Sequence, residues 1–77
     1  MVYELWDSAS GNAIAGFPTE AEALGVVRAE MEAAGRDAVS EWFLRNVDIR
    51  GRSKVLAEGA ALADRALSGV GASQIFA

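Results

Sequence analysis

The sequence predicts an α+β domain with a two-layer ββαββα architecture: a mostly antiparallel four-stranded sheet with both helices on one face. Four segments alternate apolar and polar residues as strands do, and they occur as two pairs, each joined by a turn. A segment with helical apolar spacing follows each pair. The 77 residues suit one domain, and their 52% apolar content is typical of a globular chain. We assign residues 1–69 to this domain and expect residues 70–77 to form a flexible C-terminal tail.

The first pair of strands is predicted at residues 2–6 and 13–17. Between them, residues 7–12 include Gly11 and Asn12, which tolerate the positive φ angles of tight turns. Side chains of the first strand alternate between two faces, with Val2, Glu4 and Trp6 on one and Tyr3 and Leu5 on the other.

The first helix is predicted over residues 20–34. Pro18 ends the preceding strand, and Thr19 with Glu22 has the spacing of a capping box. Gly35 then supplies a residue that adopts positive φ at a helix end.

The second half repeats this order, with strands at 39–47 and 53–57 around a turn at 48–52, and a helix over 59–68 that ends at Gly69. The alternative is one helix over residues 53–67, because the apolar positions there also fit one helix face. We favour a strand followed by a helix because Gly59 would weaken a continuous helix and the strand at 39–47 needs a partner.

The predicted core combines the inward positions of both sheet halves and both helices. It consists of Leu5, Leu24, Val27, Met31, Trp42, Leu44, Leu62 and Leu67.

The residue types exclude several kinds of chemistry. The chain has no cysteine and no histidine, so it cannot form a disulfide, a zinc site with the usual ligands, or a Ser-His or Cys-His nucleophile. It also contains no phosphate-binding glycine motif. We therefore expect a non-enzymatic protein with no catalytic residues, metal or cofactor, and we infer no small-molecule substrate.

The location of the protein is predicted from two further features. The first residues lack the basic start and apolar core of a signal peptide. No apolar run approaches the roughly 20 residues that span a bilayer. We expect a cytoplasmic protein with no membrane partner.

Six residues are candidates for partner binding. Trp6 or Tyr3 on the first strand, and Phe43 or Trp42 on the third, must face away from the helices, where large aromatic residues are typical of an interface. Trp6 and Phe43 are the candidates. Four of the seven basic residues lie within residues 45–54; they are Arg45, Arg50, Arg52 and Lys54. The leading hypothesis is a protein-interaction or regulatory module that self-associates as a homodimer or binds another protein. The alternative to a dimer is that the C-terminal tail, with Ile75 and Phe76, folds back and covers this face within one chain.

The alternative is a nucleic-acid-binding regulator that uses the basic hairpin 45–54. The net charge of −4 disfavours it, since such modules are usually basic overall. The charge is unevenly distributed: residues 1–44 carry −6 and residues 45–77 carry +2. Two copies paired antiparallel can bring these unlike parts together.

Four stretches resemble short bacterial proteins that have no assigned activity: YELWD at 3–7, GN at 11–12, TEAEAL at 19–24 and AEGAALA at 57–63. This resemblance covers most of the chain and carries no functional residues across. The helix start at 19–23 also resembles that of HicB-type antitoxins, although Gly16-Phe17-Pro18 stands where those proteins have Asp-Leu-Pro-Gly. The second likeness implies an antitoxin-like regulatory role.

Overall fold

The computed structural model describes the backbone of residues 1–75 and the side chains of residues 1–68. The elements in chain order are β1 (Val2–Asp7), β2 (Asn12–Phe17), α1 (Glu20–Ala34), a 3₁₀ helix (Arg36–Val39), β3 (Trp42–Val47), β4 (Ser53–Glu58) and α2 (Gly59–Ile75). The strands form one antiparallel sheet in the order β2-β1-β3-β4. The predicted α+β class and the ββαββα order are confirmed.

Helix α1 has the predicted bounds because both of its ends are capped. The Thr19 hydroxyl accepts a hydrogen bond from the Glu22 backbone N–H at 3.2 Å and donates one to the Glu22 carboxylate at 3.1 Å. At the other end, Gly35 has a φ of 89° and its N–H donates to the Met31 carbonyl. A residue with a side chain rarely adopts that φ, so the glycine allows the helix to stop there.

The second half differs from the prediction at two places. Residues 39–41 precede β3, and Val39 closes a 3₁₀ helix with its side chain fully buried, so the predicted strand 39–47 begins only at Trp42. Apolar residues close to a strand boundary look the same in sequence whether they are extended or wound into a turn.

Residues 53–58 are a strand, which excludes the alternative of one helix over 53–67. Helix α2 begins at Gly59 and continues through Gly69, where the sequence predicted its end, to Ile75. A helical glycine costs only about 1 kcal/mol relative to alanine, so it weakens a helix without having to terminate it. The predicted tail at 70–77 stays untested, because residues 76–77 and the side chains from 69 onward lie outside the described part.

The core lies between the two helices and one face of the sheet. Of the eight predicted residues, five are buried; they are Leu5, Leu24, Val27, Leu44 and Leu62. Met31 and Trp42 pack against the core at partial burial. The prediction for Leu67 is wrong: its side chain is 50% exposed, and Ala63 and Ala66 face the core from α2 instead. These small residues allow the two helices to lie close together over the sheet.

Two ion pairs hold α1 and the following turn against α2. Arg65 pairs with Glu20, and this hydrogen bond raises the pKa of the Arg65 guanidinium. Arg36 contacts Asp64 at 2.7 Å and also donates to the Ala60 carbonyl. Both pairs are substantially exposed, so they orient the helices more than they stabilise the fold.

Candidate partner-binding surface

The sheet face turned away from the helices carries the candidate surface. Cross-strand pairing between β1 and β3 aligns Val2 with Val47, Glu4 with Arg45 and Trp6 with Phe43. Their neighbours in sequence, Leu5 and Leu44, point to the helices and are fully buried. Because side chains alternate along a strand, the three aligned pairs lie together on the opposite face. We call the face of the four-stranded sheet that carries these six residues the open sheet face.

Four side chains on this face form one connected group. The rings of Trp6 and Phe43 stack with centroids 6.3 Å apart and planes 9° from parallel. The Arg45 guanidinium lies over the Trp6 ring, 4.7 Å from its centroid. Glu4 joins them, since its Oε1 accepts hydrogen bonds from Trp6 Nε1 at 3.0 Å and from Arg45 Nε at 2.7 Å. The four side chains fix one another's positions before any partner arrives.

The pKa of Glu4 is lowered from its usual value. The largest cause is the hydrogen bond from the Trp6 indole, and the next is the hydrogen bond from Arg45; partial burial opposes both. Hydrogen bonds to a carboxylate favour its charged form. The Glu4 and Arg45 side chains are 27% and 30% exposed, so the pair is partly shielded from solvent.

The structure separates the four basic residues that the sequence grouped. Arg45 belongs to the open sheet face and is paired with Glu4. Arg52 lies in the β3–β4 turn, 3.4 Å from the Asp48 carboxylate. Arg50 is exposed in the same turn, and Lys54 is exposed on β4 opposite Asn46. The register places Lys54 on the helix side of the sheet, so the predicted cluster is not one continuous basic surface.

The β3–β4 turn is held in a defined shape by Asp48. One carboxylate oxygen of Asp48 accepts hydrogen bonds from the backbone N–H groups of Arg50 at 2.8 Å and Arg52 at 3.0 Å. Gly51, with a φ of 82°, closes the turn by donating to the Asp48 carbonyl. The turn presents Ile49 with 93% of its surface exposed. We call the segment 48–52 the hairpin tip.

No protein family, characterised protein or solved structure that was compared with the chain matches it.

A cleft of about 310 Å³ lies at the opposite end of the same hairpin. Three connections meet there, and the residues that line it are Ser8, Ser40, Glu41, Trp42, Phe43, Glu58 and Gly59. The Ser8 hydroxyl donates to the Glu41 carbonyl at 2.8 Å, which joins the β1–β2 turn to the start of β3. Glu58 pairs with Phe43 across the strands, so its carboxylate is at the edge of the open sheet face. The cleft thus combines aromatic surface with two carboxylates.

Other kinds of site were sought in the described residues. Within residues 1–68 no group of three acidic side chains is placed to hold a metal ion. None of the helices in the described part is long and apolar enough to cross a bilayer.

Three residues on or next to this surface were not identifiable as candidates from the sequence: Glu4, Ile49 and Val55. The alternation in the sequence places Glu4 on the same face as Trp6. Its role depends on Arg45, and only the register between β1 and β3 shows that Arg45 lies opposite Glu4. Ile49 had been treated as an ordinary turn residue. Val55 is 51% exposed. It pairs with Arg45 from β4, the strand on the other side of β3 from β1, and a bulge in β4 turns the Val55 side chain toward the open sheet face.

Proposed function

We propose that this protein is a non-enzymatic binding module that acts as a homodimer, with the open sheet faces of two copies packed together. The observation that carries the proposal is the Trp6–Phe43 stack on the face opposite the helices. Aromatic residues and arginine are the types enriched at protein interfaces, and here they are preorganised by their mutual contacts.

The charges on this face suit burial against an apolar partner. Glu4 and Arg45 neutralise each other at 2.7 Å, so a contact would not bury an unpaired charge. Val2, Val47 and Val55 lie beside the pair on this face, and Ser53 and Glu58 on β4 form its polar edge. A second copy supplies a surface of the same character, because a two-fold axis pairs a patch with itself.

The size of the face indicates a weak dimer. Four strands about 4.8 Å apart and six residues long, at about 3.3 Å each, cover roughly 380 Å². A standard interface buries about 800 Å² on each partner. We therefore expect association in the micromolar range or weaker.

A non-enzymatic role fits the ionisable groups. An acid that donates a proton in catalysis needs a raised pKa, whereas the pKa of Glu4 is lowered by hydrogen bonds that serve the surface itself. The sequence also lacks histidine and cysteine, the commonest catalytic bases and nucleophiles.

The nucleic-acid alternative has weaker support. Two of the four basic residues already contact carboxylates, Arg45 with Glu4 and Arg52 with Asp48. Phosphate binding needs several cations on one surface, because affinity grows with the number of phosphates neutralised.

The proposal is tested by sedimentation over a range of protein concentrations up to about 500 µM, which covers the affinities of small interfaces. The mass should rise from 8.1 kDa towards twice that value. Phe43→Glu should keep the protein monomeric. Val55→Glu, at an exposed position of the same face, should weaken association without affecting folding. The matched control is Leu67→Glu, a half-exposed residue on the helix side, which should not change the mass.

A parent protein that stays monomeric throughout this range would refute self-association, as would equal effects of Phe43→Glu and Leu67→Glu in variants whose circular dichroism is unchanged. Salt-dependent binding to DNA or RNA that is lost in the double variant Arg50→Glu, Arg52→Glu would favour the nucleic-acid role instead.

A further inference from the structure

The two ends of the β3–β4 hairpin carry complementary features. The hairpin tip presents Ile49 with Arg50 beside it, both exposed. The cleft at the other end has Phe43 and Glu58 among its lining residues. Arg50 and Glu58 take part in none of the four ion pairs found among the described residues. An apolar side chain and a cation at one end thus correspond to an apolar surface and an anion at the other.

These features cannot meet within one chain. Strand β3 runs from Trp42 to Val47 and Ile49 lies in the turn beyond it, so Phe43 and Ile49 are roughly 15–20 Å apart. A second copy can bring them together if the strands of the two sheets run antiparallel. The two-fold axis then lies between the faces and perpendicular to the strands, so that β3 stacks on the β3 of the other copy and each hairpin tip lies over the other copy's cleft.

We propose that this antiparallel stacking is the geometry of the dimer, with Ile49 and Arg50 of each copy against Phe43 and Glu58 of the other. The inference rests on the proposed self-association and specifies its register. Sheets that pack face to face lie about 10 Å apart with strands within about 30° of alignment, which a two-fold axis of this kind satisfies.

The same register gives a favourable arrangement at the centre of the interface. The midpoint between Phe43 and Ile49 is Asn46, so the axis passes at the level of that residue. Arg45 of one copy then faces Val47 of the other, because these residues lie one position before and one position after Asn46. Glu4 faces Val2 for the same reason, because β1 is paired with β3 in register. Neither charge is stacked on its own counterpart, which would be repulsive. Trp6 is level with Phe43 and therefore lies at the edge of the contact, beyond the Val2 end of the other copy's β1.

The cleft also has room for the apolar side chain of the tip. Its volume of about 310 Å³ equals that of about ten water molecules at roughly 30 Å³ each. Displacing this water with Ile49 removes the most exposed large apolar side chain of the described residues from solvent.

Charge reversal tests the register. Arg50→Glu and Glu58→Arg should each raise the dimer dissociation constant about tenfold, since each places like charges together at two symmetric contacts. The double variant Arg50→Glu, Glu58→Arg should restore the parent value to within about threefold, because the pair is re-formed with its signs exchanged. The matched control is Lys54→Glu, the same change of charge on the same hairpin but on the helix side, which should have little effect.

Cysteine crosslinking gives an independent readout in a chain that has no cysteine of its own. Arg50→Cys combined with Glu58→Cys should give a covalent dimer with a thiol-specific crosslinker that spans about 10 Å, the spacing of two stacked sheets. Either variant alone should not, because an axis at Asn46 places the two copies of each residue at opposite ends of the hairpins, roughly 20 Å or more apart.

The outcomes separate the two proposals. If the parent dimerises and Phe43→Glu dissociates it, but the charge-reversed double variant is not restored or the single cysteine variants crosslink equally well, the register is wrong and self-association stands. If the parent is monomeric at every concentration, both proposals fail.

Discussion

Replacing Glu4 with Gln should destabilise the protein at neutral pH and have little effect in acid. Gln has nearly the same shape but no charge, so it weakens the acceptor of two hydrogen bonds, from Trp6 Nε1 and Arg45 Nε. Hydrogen bonds to a charged group contribute about 1.5–3 kcal/mol when shielded, and exposed ion pairs about 0.2–1 kcal/mol. With both side chains a little under one-third exposed, a loss of about 1 kcal/mol in the free energy of unfolding is expected.

The pH dependence follows from the lowered pKa of Glu4. A carboxyl whose pKa is lower in the folded chain stabilises the fold at pH values above its unfolded pKa. This contribution is lost as the pH falls through its folded pKa, because the proton then neutralises the charge. The difference between the parent and Glu4→Gln should therefore be full at neutral pH and should shrink as the pH falls through the lowered pKa of Glu4.

The assay is urea or thermal unfolding followed by circular dichroism at low protein concentration, where self-association contributes little. For a domain of this size, 1 kcal/mol corresponds to a fall in Tm of about 4–8 °C. Glu32→Gln is the matched control, because Glu32 is exposed and this substitution removes the same charge. The reasoning is refuted if Glu4→Gln costs no more than this control at neutral pH, or if its cost is the same in acid.

The remaining predictions concern the fold. Leu44→Ala should cost about 2–5 kcal/mol in chemical denaturation, because Leu44 is fully buried at the centre of the core; a cost under 1 kcal/mol would contradict this burial. Thr19→Ala should cost about 1 kcal/mol by removing the cap of α1, and Thr19→Ser should recover most of it. Gly59→Ala should cost about 1–2 kcal/mol, since Gly59 has a φ of 55° and a Cβ there would lie 3.2 Å from the Ser40 carbonyl. Gly25→Ala, in the middle of α1 with nothing within 4 Å of the added Cβ, should instead stabilise the protein by up to about 1 kcal/mol; the same sign for both glycine variants would contradict the argument.

Local signals in the sequence predicted most of the fold. Alternation placed Trp6 and Phe43 on the face opposite Leu5 and Leu44, as the structure has them. The Thr19 cap and the glycine after α1 defined both ends of that helix. These features depend on hydrogen bonds and side-chain directions within a few residues, so the sequence contains all the information that they need.

The extent of α2 and the identity of its buried face could not be read in the same way. Leu62, Ala63, Ala66 and Leu67 fit one helix face by their spacing, and the sequence therefore predicts Leu67 in the core together with Leu62. In the structure α2 buries Leu62, Ala63 and Ala66 and leaves Leu67 half-exposed, so the buried side of the helix is narrower than its apolar stripe. The width of the buried side depends on the distance between two elements, which neither element specifies alone.

The candidate surface also combines features that the sequence determines with features that only the tertiary structure determines. The sequence by itself determined the strands, the outward direction of Trp6 and Phe43, and the grouping of basic residues at 45–54. Only the tertiary structure placed β1 beside β3 in the register that joins Glu4 to Arg45 and Trp6 to Phe43. The same register left Arg50 at an exposed tip and Lys54 on the other side of the sheet. The physical reason is that alternation along a strand fixes the face of each side chain, whereas its neighbours across the sheet are fixed by pairing between segments nearly 40 residues apart.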